Sequence, residues 1–265
     1  MDLGLNGRVA LVTGAGSQVG FGKEIALLLA KEGCEAVAVT DINLDEVTKT
    51  ASLVRNLGRK SIAVKADITS RGEVVALVEK VIGQYGRVDI LCNVAGAILH
   101  KDNMPLESQS QEVWERQINL NLFGTMLVTQ AVLPHMRARK YGVIVNIGSG
   151  STHQYSMGVG MYAISKAAID VFTKQLATAE AKNGIRVNCV APGPAPTNFG
   201  AALREGMPPQ TEEQTKARRE AMAKTMPLGR IGTAADVASF TVFLASDLTG
   251  YVTGQVIHVS GGSVM

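Results

Sequence analysis

Tyr162 and Lys166 stand four residues apart in Tyr-Ala-Ile-Ser-Lys, and Ser149 lies thirteen residues before Tyr162, closing the apolar run that begins at Gly142. On a helix, residues i and i+4 share a face, so the Lys166 ammonium can sit beneath the Tyr162 phenol. A phenol ordinarily loses its proton at about pH 10. A fixed cation a few ångströms away favours the phenolate. A serine hydroxyl alongside could hold the oxygen of an alcohol or ketone. The same four-residue spacing also recurs by chance on long helices, so the elements that carry these residues must decide between the two readings.

Those elements alternate along the whole chain. Short apolar runs begin at Arg8, Ala36, Ser61, Val88, Val143, Ile185 and Gln255. Their near-continuous apolar character is what strands covered on both faces require. Amphipathic segments lie between them, such as the one from Lys23 closed by Gly33 and the one from Tyr162 to Lys182 stopped by Asn183-Gly184. Repeated βα units imply a parallel sheet with right-handed crossovers and helices on both faces. The expected fold is therefore α/β: a single-domain, doubly wound (Rossmann) parallel sheet of about seven strands over residues 1–265. Six of the eight prolines fall between Pro192 and Pro227, a stretch without strand pattern that follows a strand. Ligands of open α/β sheets bind at strand ends, so the segment 192–227 reads as a substrate loop or lid, with a surface excursion as the alternative.

Composition removes other classes. The 265 residues include 26 basic and 23 acidic side chains, a net charge of +3, without a basic block or aromatic platform for nucleic acid. Cys34, Cys92 and Cys189 are too far apart to suggest a disulfide framework or metal cluster, which suits a reducing cytosol. No apolar run approaches the roughly 20 residues that span a bilayer. A cytoplasmic protein acting on a small molecule is expected, with no metal, nucleic acid or membrane partner.

The first apolar run leads into Thr13-Gly-Ala-Gly-Ser-Gln-Val-Gly-Phe-Gly22 and then into a helix pattern. Glycines there let the backbone turn tightly and approach a pyrophosphate, which a helix N-terminus attracts. Asp41 ends the second run, 19 residues beyond Gly22. Its carboxylate can accept hydrogen bonds from ribose hydroxyls and repels a 2′-phosphate, and Ile42-Asn-Leu-Asp follows without an arginine. That combination argues for NAD over NADP.

With these motifs in order, the chain resembles the short-chain dehydrogenase/reductase family over essentially its whole length. The carriers are Thr13-Gly14…Gly20-x-Gly22, Asp67, Asn93-Val-Ala-Gly96, Asn121 in Asn-Leu-Phe-Gly, Ser149, Tyr162, Lys166, Pro192-Gly193…Thr197 and Arg230-Ile-Gly…Asp236-Val-Ala. The resemblance implies a catalytic set of Asn121, Ser149, Tyr162 and Lys166. Tyr162 becomes the general base toward an alcohol, and the acid toward a ketone, with hydride passing to or from the nicotinamide of NAD. Ser149 positions the reacting oxygen, Lys166 also binds the nicotinamide ribose, and Asn121 holds a water that links Lys166 to solvent, or else bridges strand and helix. The implied coenzyme residues are Gly14, Ser17, Gln18, Gly20, Phe21, Gly22, Asp41, Ile42, Asp67, Ile68, Asn93, Ala95, Gly96, Tyr162, Lys166, Pro192, Gly193, Ala195 and Thr197.

Three departures stand out. Five residues, Ala15 to Val19, separate Gly14 from Gly20, two more than the family usually carries. An insertion keeps Gly20-Phe-Gly in register with the helix; the alternative places Gln18 at the middle glycine. Val94 replaces a common second asparagine. Prolines flank Ala195, which nevertheless keeps the N–H that the family uses toward the carboxamide.

For the substrate, Ser149, Ser151, His153 and Tyr162 are the candidates, with Gln154 close by. Met157, Met161, Met207, Met222 and Met226 either line an adaptable apolar pocket or fill the core. Lys216-Ala-Arg-Arg219 could attract an anion, but Glu212, Glu213 and Glu220 nearly cancel it, so an exposed helix face is expected. The reading is an oxidoreductase for a secondary alcohol or its ketone. Alternatives are a hydroxyacyl thioester or hydroxy acid as substrate, and a catalytically silent cofactor-binding subunit. The resemblance further implies a homotetramer packed through the helices around Trp114–Arg137 and Tyr162–Lys182.

Overall fold

The structure is a computed structural model that describes residues 2–99, 105–153, 159–197 and 211–265. Seven strands carry the apolar runs: β1 (Val9–Thr13), β2 (Ala36–Asp41), β3 (Ala63–Lys65), β4 (Ile90–Asn93), β5 (Gly142–Ile147), β6 (Ile185–Pro192) and β7 (Val256–Val259). They form one sheet in the order β3-β2-β1-β4-β5-β6-β7, each pair parallel. β1, β4 and β5 are buried throughout, as a doubly covered sheet requires.

The helices are α1 (Phe21–Lys31), α2 (Leu44–Asn56), α3 (Arg71–Tyr85), α4 (Gln111–Ile118), α5 (Gly124–Arg139), α6 (Gly160–Glu180), α7 (Glu212–Lys224) and α8 (Ala234–Ala245). One core joins α1, α2 and α8 to the sheet through residues such as Ile25, Leu29, Val54, Val237 and Val242. The opposite core uses Val74, Leu77, Val128, Val132 and Ala177 from α3, α5 and α6. The order reverses between β1 and β4, whose chain continuations leave in opposite directions and open a crevice at their C-terminal ends.

Two helical segments differ from the periodicity. α6 stops at Glu180 rather than Lys182, because its last turn tightens into a 3₁₀ turn, Ala181–Asn183. The expected helix around Trp114–Arg137 is interrupted by a π-helical turn, Asn119–Phe123, between α4 and α5. That wider turn changes the register of the path at Asn121. α7 has a Thr211 capping box and no buried residue, so the Lys216–Arg219 stretch is an exposed face. Lys216 pairs there with Glu220 at 4.0 Å. Of the expected lid, residues 198–210 with Met207 lie outside the described residues, as do Gln154 and Met157.

Candidate active site

Every named residue of the reactive set comes to the C-terminal edge of the sheet. β5 ends at Ile147, and Ser149 follows as N-cap of a 3₁₀ turn, Gly150–Thr152. α6 supplies Tyr162 and Lys166 from its first two turns. Tyr162, Lys166 and Ser149 are all buried. The Ser149 hydroxyl makes a hydrogen bond to the Tyr162 phenol that favours the phenolate. Lys166 Nζ lies 5.9 Å from the centre of the Tyr162 ring and donates to the Ile147 carbonyl at 2.7 Å.

The electrostatics of this site differ from the simple expectation. Burial pushes the Tyr162 phenol above its ordinary range, and the Ser149 hydrogen bond offsets only part of that. Burial also brings Lys166 down to about 8. Desolvation disfavours both charged forms at once, so the protein shell alone does not make Tyr162 a phenolate. It stores a buried base and a buried cation that any added positive charge in the pocket would tip.

Asn121 is fully buried in the π turn. Its Oδ1 accepts the Ala97 N–H at 3.0 Å, and its Nδ2 donates to the Ala97 carbonyl at 3.0 Å and to Ser165 Oγ at 3.2 Å. Ser165 Oγ in turn donates to the Tyr162 carbonyl at 2.7 Å. The side chain of Asn121 is thus the strand–helix bridge. Gln117 doubles the bridge, donating to the Ala97 carbonyl at 2.6 Å. Ser165 and Gln117 were not singled out by sequence reasoning; Ser165 sits inside the Tyr-Ala-Ile-Ser-Lys motif and carries the signal in plain view.

At the other end of the crevice, Gly14 takes φ +65° with the Ala95 backbone directly over it; a Cβ there would come within 2.7 Å. A Cβ on Gly22 would strike the Gly14 carbonyl at 2.4 Å. These approaches pair Gly14 with Gly22, so the lengthened loop is an insertion and Gly20 is the N-cap of α1. Gln18 faces away from the crevice: its amide donates to the carbonyls of Gly16 at 2.9 Å and Glu46 at 3.0 Å. Phe21 packs on the core. Among the described residues Ser17 Oγ is buried without a hydrogen-bond partner. Asp41 accepts from the Gly16 N–H at 2.9 Å and the Asn43 N–H at 3.1 Å, at the edge of the same crevice, and Ile42 beyond it is exposed.

Several other expected coenzyme residues bond within the fold. Asn93 donates to Thr129 Oγ1 at 3.0 Å and Asn146 Oδ1 at 2.9 Å, so its side chain ties β4 to α5 and β5. Thr13 Oγ1 accepts from the N–H groups of Val94 and Ala95 and holds the chain that leads to Gly96. Asp67 closes a turn on Thr69, and Ile68 is buried against Gly124. Pro192 ends β6, the Gly193 N–H donates to Val259, and Thr197 folds back on the Ala195 carbonyl.

Near Ser149, Ser151 turns its hydroxyl onto the Ser149 oxygen. His153 is exposed, 2.8 Å from Thr152 Oγ1, and packs edge-on against His258 with ring centres 4.7 Å apart. Its ring is therefore already occupied on two sides. Met161 is buried, Met226 half-buried and Met222 exposed, so the methionines do not form one lining. Among the described residues no group of three or more His, Cys, Asp or Glu side chains could hold a metal.

The pairing of a glycine cradle, an acidic edge and a buried Ser–Tyr–Lys cluster in one crevice agrees with what the chain is similar to. The family model described as enoyl-(acyl carrier protein) reductase matches residues 14–263. A 3-oxoacyl-[acyl-carrier-protein] reductase of Thermotoga maritima is 40% identical over 98% of this chain and 99% of its own length. A (2S)-[(R)-hydroxy(phenyl)methyl]succinyl-CoA dehydrogenase subunit of Thauera aromatica is 37% identical, covering 98% of each chain. Among solved structures, a 7α-hydroxysteroid dehydrogenase complexed with NADH and 7-oxo glycochenodeoxycholic acid superposes with a TM-score of 0.87 at 34% identity, over 99% of this chain and 96% of that one. The chain is an oxidoreductase of the short-chain dehydrogenase/reductase family, a family that binds a nicotinamide cofactor.

Proposed function

We propose that this protein is an NAD-dependent enzyme that interconverts a secondary alcohol and its ketone, with Tyr162 as general acid/base. The observation that carries the reading is the buried contact of the Tyr162 phenol with the Ser149 hydroxyl, with Lys166 below the ring. A bound nicotinamide supplies the hydride acceptor or donor. Tyr162 takes the alcohol proton in oxidation and returns it to the ketone oxygen in reduction. Ser149 donates a hydrogen bond to that oxygen, where negative charge develops. Lys166, with two N–H groups beyond the one given to Ile147, binds ribose hydroxyls and holds positive charge beside the base. Asn121 fixes the α4–α6 frame around them.

The residues fit the coenzyme. The Gly14–Gly22 close packing leaves room for a pyrophosphate at α1, and the orphaned Ser17 hydroxyl is a donor for a phosphate oxygen. Asp41 supports NAD over NADP, since its carboxylate would repel a 2′-phosphate. The acyl-carrier-protein and coenzyme A derivatives named for two of the relatives support a hydroxyacyl thioester as the substrate class. Phe123, Met126, Ile164 and Val171 are exposed on α5, α6 and the π turn, which supports assembly of a homotetramer through those helices. Three free, buried cysteines support a reducing cytoplasm; no described helix is long and apolar enough to cross a membrane.

Reduction of acetoacetyl-CoA and of a 7-oxo bile acid, each followed with NADH and with NADPH, tests substrate and coenzyme together. Faster turnover with NADPH would overturn the reading of Asp41. Tyr162→Phe should remove activity on whichever ketone the parent accepts. Light scattering tests the tetramer.

A further inference from the structure

A serine hydroxyl has one hydrogen and two lone pairs. At Ser149 both lone pairs are filled by a single neighbour. The Ser151 N–H donates to Ser149 Oγ at 3.1 Å, and the Ser151 hydroxyl donates to the same oxygen at 2.9 Å. Among the described residues the remaining partner of Ser149 Oγ is the Tyr162 phenol. With its acceptor positions taken, Ser149 has only its hydrogen left for that direction. The turn that makes this possible is held from its other side. Thr152 Oγ1 donates to the Ser149 carbonyl at 3.0 Å and contacts His153 Nδ1 at 2.8 Å, so both ends of Ser149 are tied to the residues that follow it.

We propose that Ser151 is a positioning residue which, by donating to Ser149 Oγ, locks Ser149 as a hydrogen-bond donor toward the reacting oxygen. The proposal rests on the reading of Ser149 and Tyr162 as the reacting pair. Without Ser151 the Ser149 hydroxyl could rotate and accept from the neutral Tyr162 phenol as readily as donate to it. That arrangement stabilises the protonated phenol and turns a lone pair toward the oxygen on which negative charge forms, the wrong polarity for either direction of the reaction. The sequence expectation placed Ser151 at the substrate. The geometry instead places its hydroxyl on Ser149, one step back. The single Ser149 hydrogen goes to the Tyr162 phenol before substrate enters and to the reacting oxygen once it does, with the Ser151 bond polarising it in the same sense in both cases.

Ser151→Ala removes the hydroxyl and frees one lone pair of Ser149, whereas Ser151→Thr keeps it. The first readout needs no turnover: 3,5-difluorotyrosine placed at position 162 brings the phenol into an accessible range, and its ¹⁹F resonance is titrated in the coenzyme-free protein. In Ser151→Ala the phenol should titrate higher by ~0.5–1 pH unit, the size of one lost net hydrogen bond. Ser151→Thr should titrate with the parent. The second readout is acetoacetyl-CoA reduction with NADH, where Ser151→Ala should lower kcat about 10-fold with KM changed less than about 2-fold. An unshifted ¹⁹F titration in Ser151→Ala overturns the proposal, and so does an equal shift in Ser151→Thr, which would mean that the turn itself had moved. If instead Tyr162→Phe kept full activity, the functional reading would fall while the titration would still report which way Ser149 points.

Discussion

The two ends of the β-sheet treat buried ionisable groups in opposite ways. At the N-terminal ends of the strands, Asp89 is fully buried but accepts from the Val9 N–H at 2.8 Å, Arg139 at 2.6 Å and Arg87 at 3.1 Å. Arg186, on β6 nearby, donates to the carbonyls of Leu244, Ser246 and Val252 and to Thr249. Arg8 lies 3.9 Å over the Tyr141 ring and pairs with Asp247. The carboxylates there are met by guanidiniums, and the donors of Arg186 are spread over fixed carbonyls and a hydroxyl, so the edge serves stability. At the C-terminal ends, Lys166 and Tyr162 are equally buried, but the ammonium donates to the Ile147 carbonyl rather than to a carboxylate. Burial therefore shifts Lys166 down and Tyr162 up. One edge satisfies its ions; the other holds a phenol and an ammonium whose charged forms burial disfavours, at a cost in stability.

Substitutions should separate the two edges cleanly. The largest effect is expected at Tyr162→Phe: a loss of ~10²–10⁴ in kcat/KM with ketone and NADH, as for removal of a general acid/base. Its thermal midpoint should stay at or above that of the parent. Retention of activity within a few-fold would remove Tyr162 from the mechanism. Asp89→Ala should do the reverse. We expect a destabilisation of ~3 kcal/mol in urea unfolding, at the low end for a broken buried pair because Arg87 and Arg139 can reach water. Activity per folded molecule should be unchanged. A loss of kcat without a loss of stability would show that the two edges are coupled.

Lys166→Met should abolish activity yet stabilise the protein by about 1–3 kcal/mol at pH 7, the cost of burying the ammonium less the lost bond to Ile147. The pH dependence gives the sign independently. Lys166 falls from 10.5 unfolded to about 8 folded. Between those values the unfolded chain holds a proton that the folded protein has released, so this group's contribution to stability rises with pH from about 8 to 10.5. Parent minus Lys166→Met stability, measured across that window, should show the rise; a flat difference would mean that Lys166 is not desolvated. The smallest effect is expected at Arg230–Asp236, a surface pair with 56% and 30% exposed side chains. Its removal should cost at most ~1 kcal/mol and should shrink further in high salt.

Much of this was legible in the sequence. Seven apolar runs became seven strands, because burial on both faces demands nearly unbroken apolar residues and writes itself into composition. The i, i+4 spacing of Tyr162 and Lys166 was enough to bring phenol and ammonium together, since helix geometry is local. The glycine insertion was also resolved in the direction the helix register suggested. Other features were not legible. Gln18, Phe21 and Asn93 occupy motif positions, but their side chains turn into the protein, because each had a neighbour from a distant element to satisfy. The π turn at Asn121 and its bond to Ser165 depend on α4, α5 and α6 meeting, which no short window encodes.

The amino-acid order by itself determined the layered fold, the glycine turn that opens α1 and which side chains meet at the C-terminal edge, all of which follow from periodicity and short spacings. Only the tertiary structure decided how strongly burial disfavours their charged forms and which neighbours surround Ser149. Desolvation depends on every residue that packs over Tyr162 and Lys166, and it runs against the cation–phenol attraction that the spacing suggests. The direction of the Ser149 hydrogen bond likewise depends on which lone pairs its neighbours have already taken, a property of assembled geometry rather than of residue type.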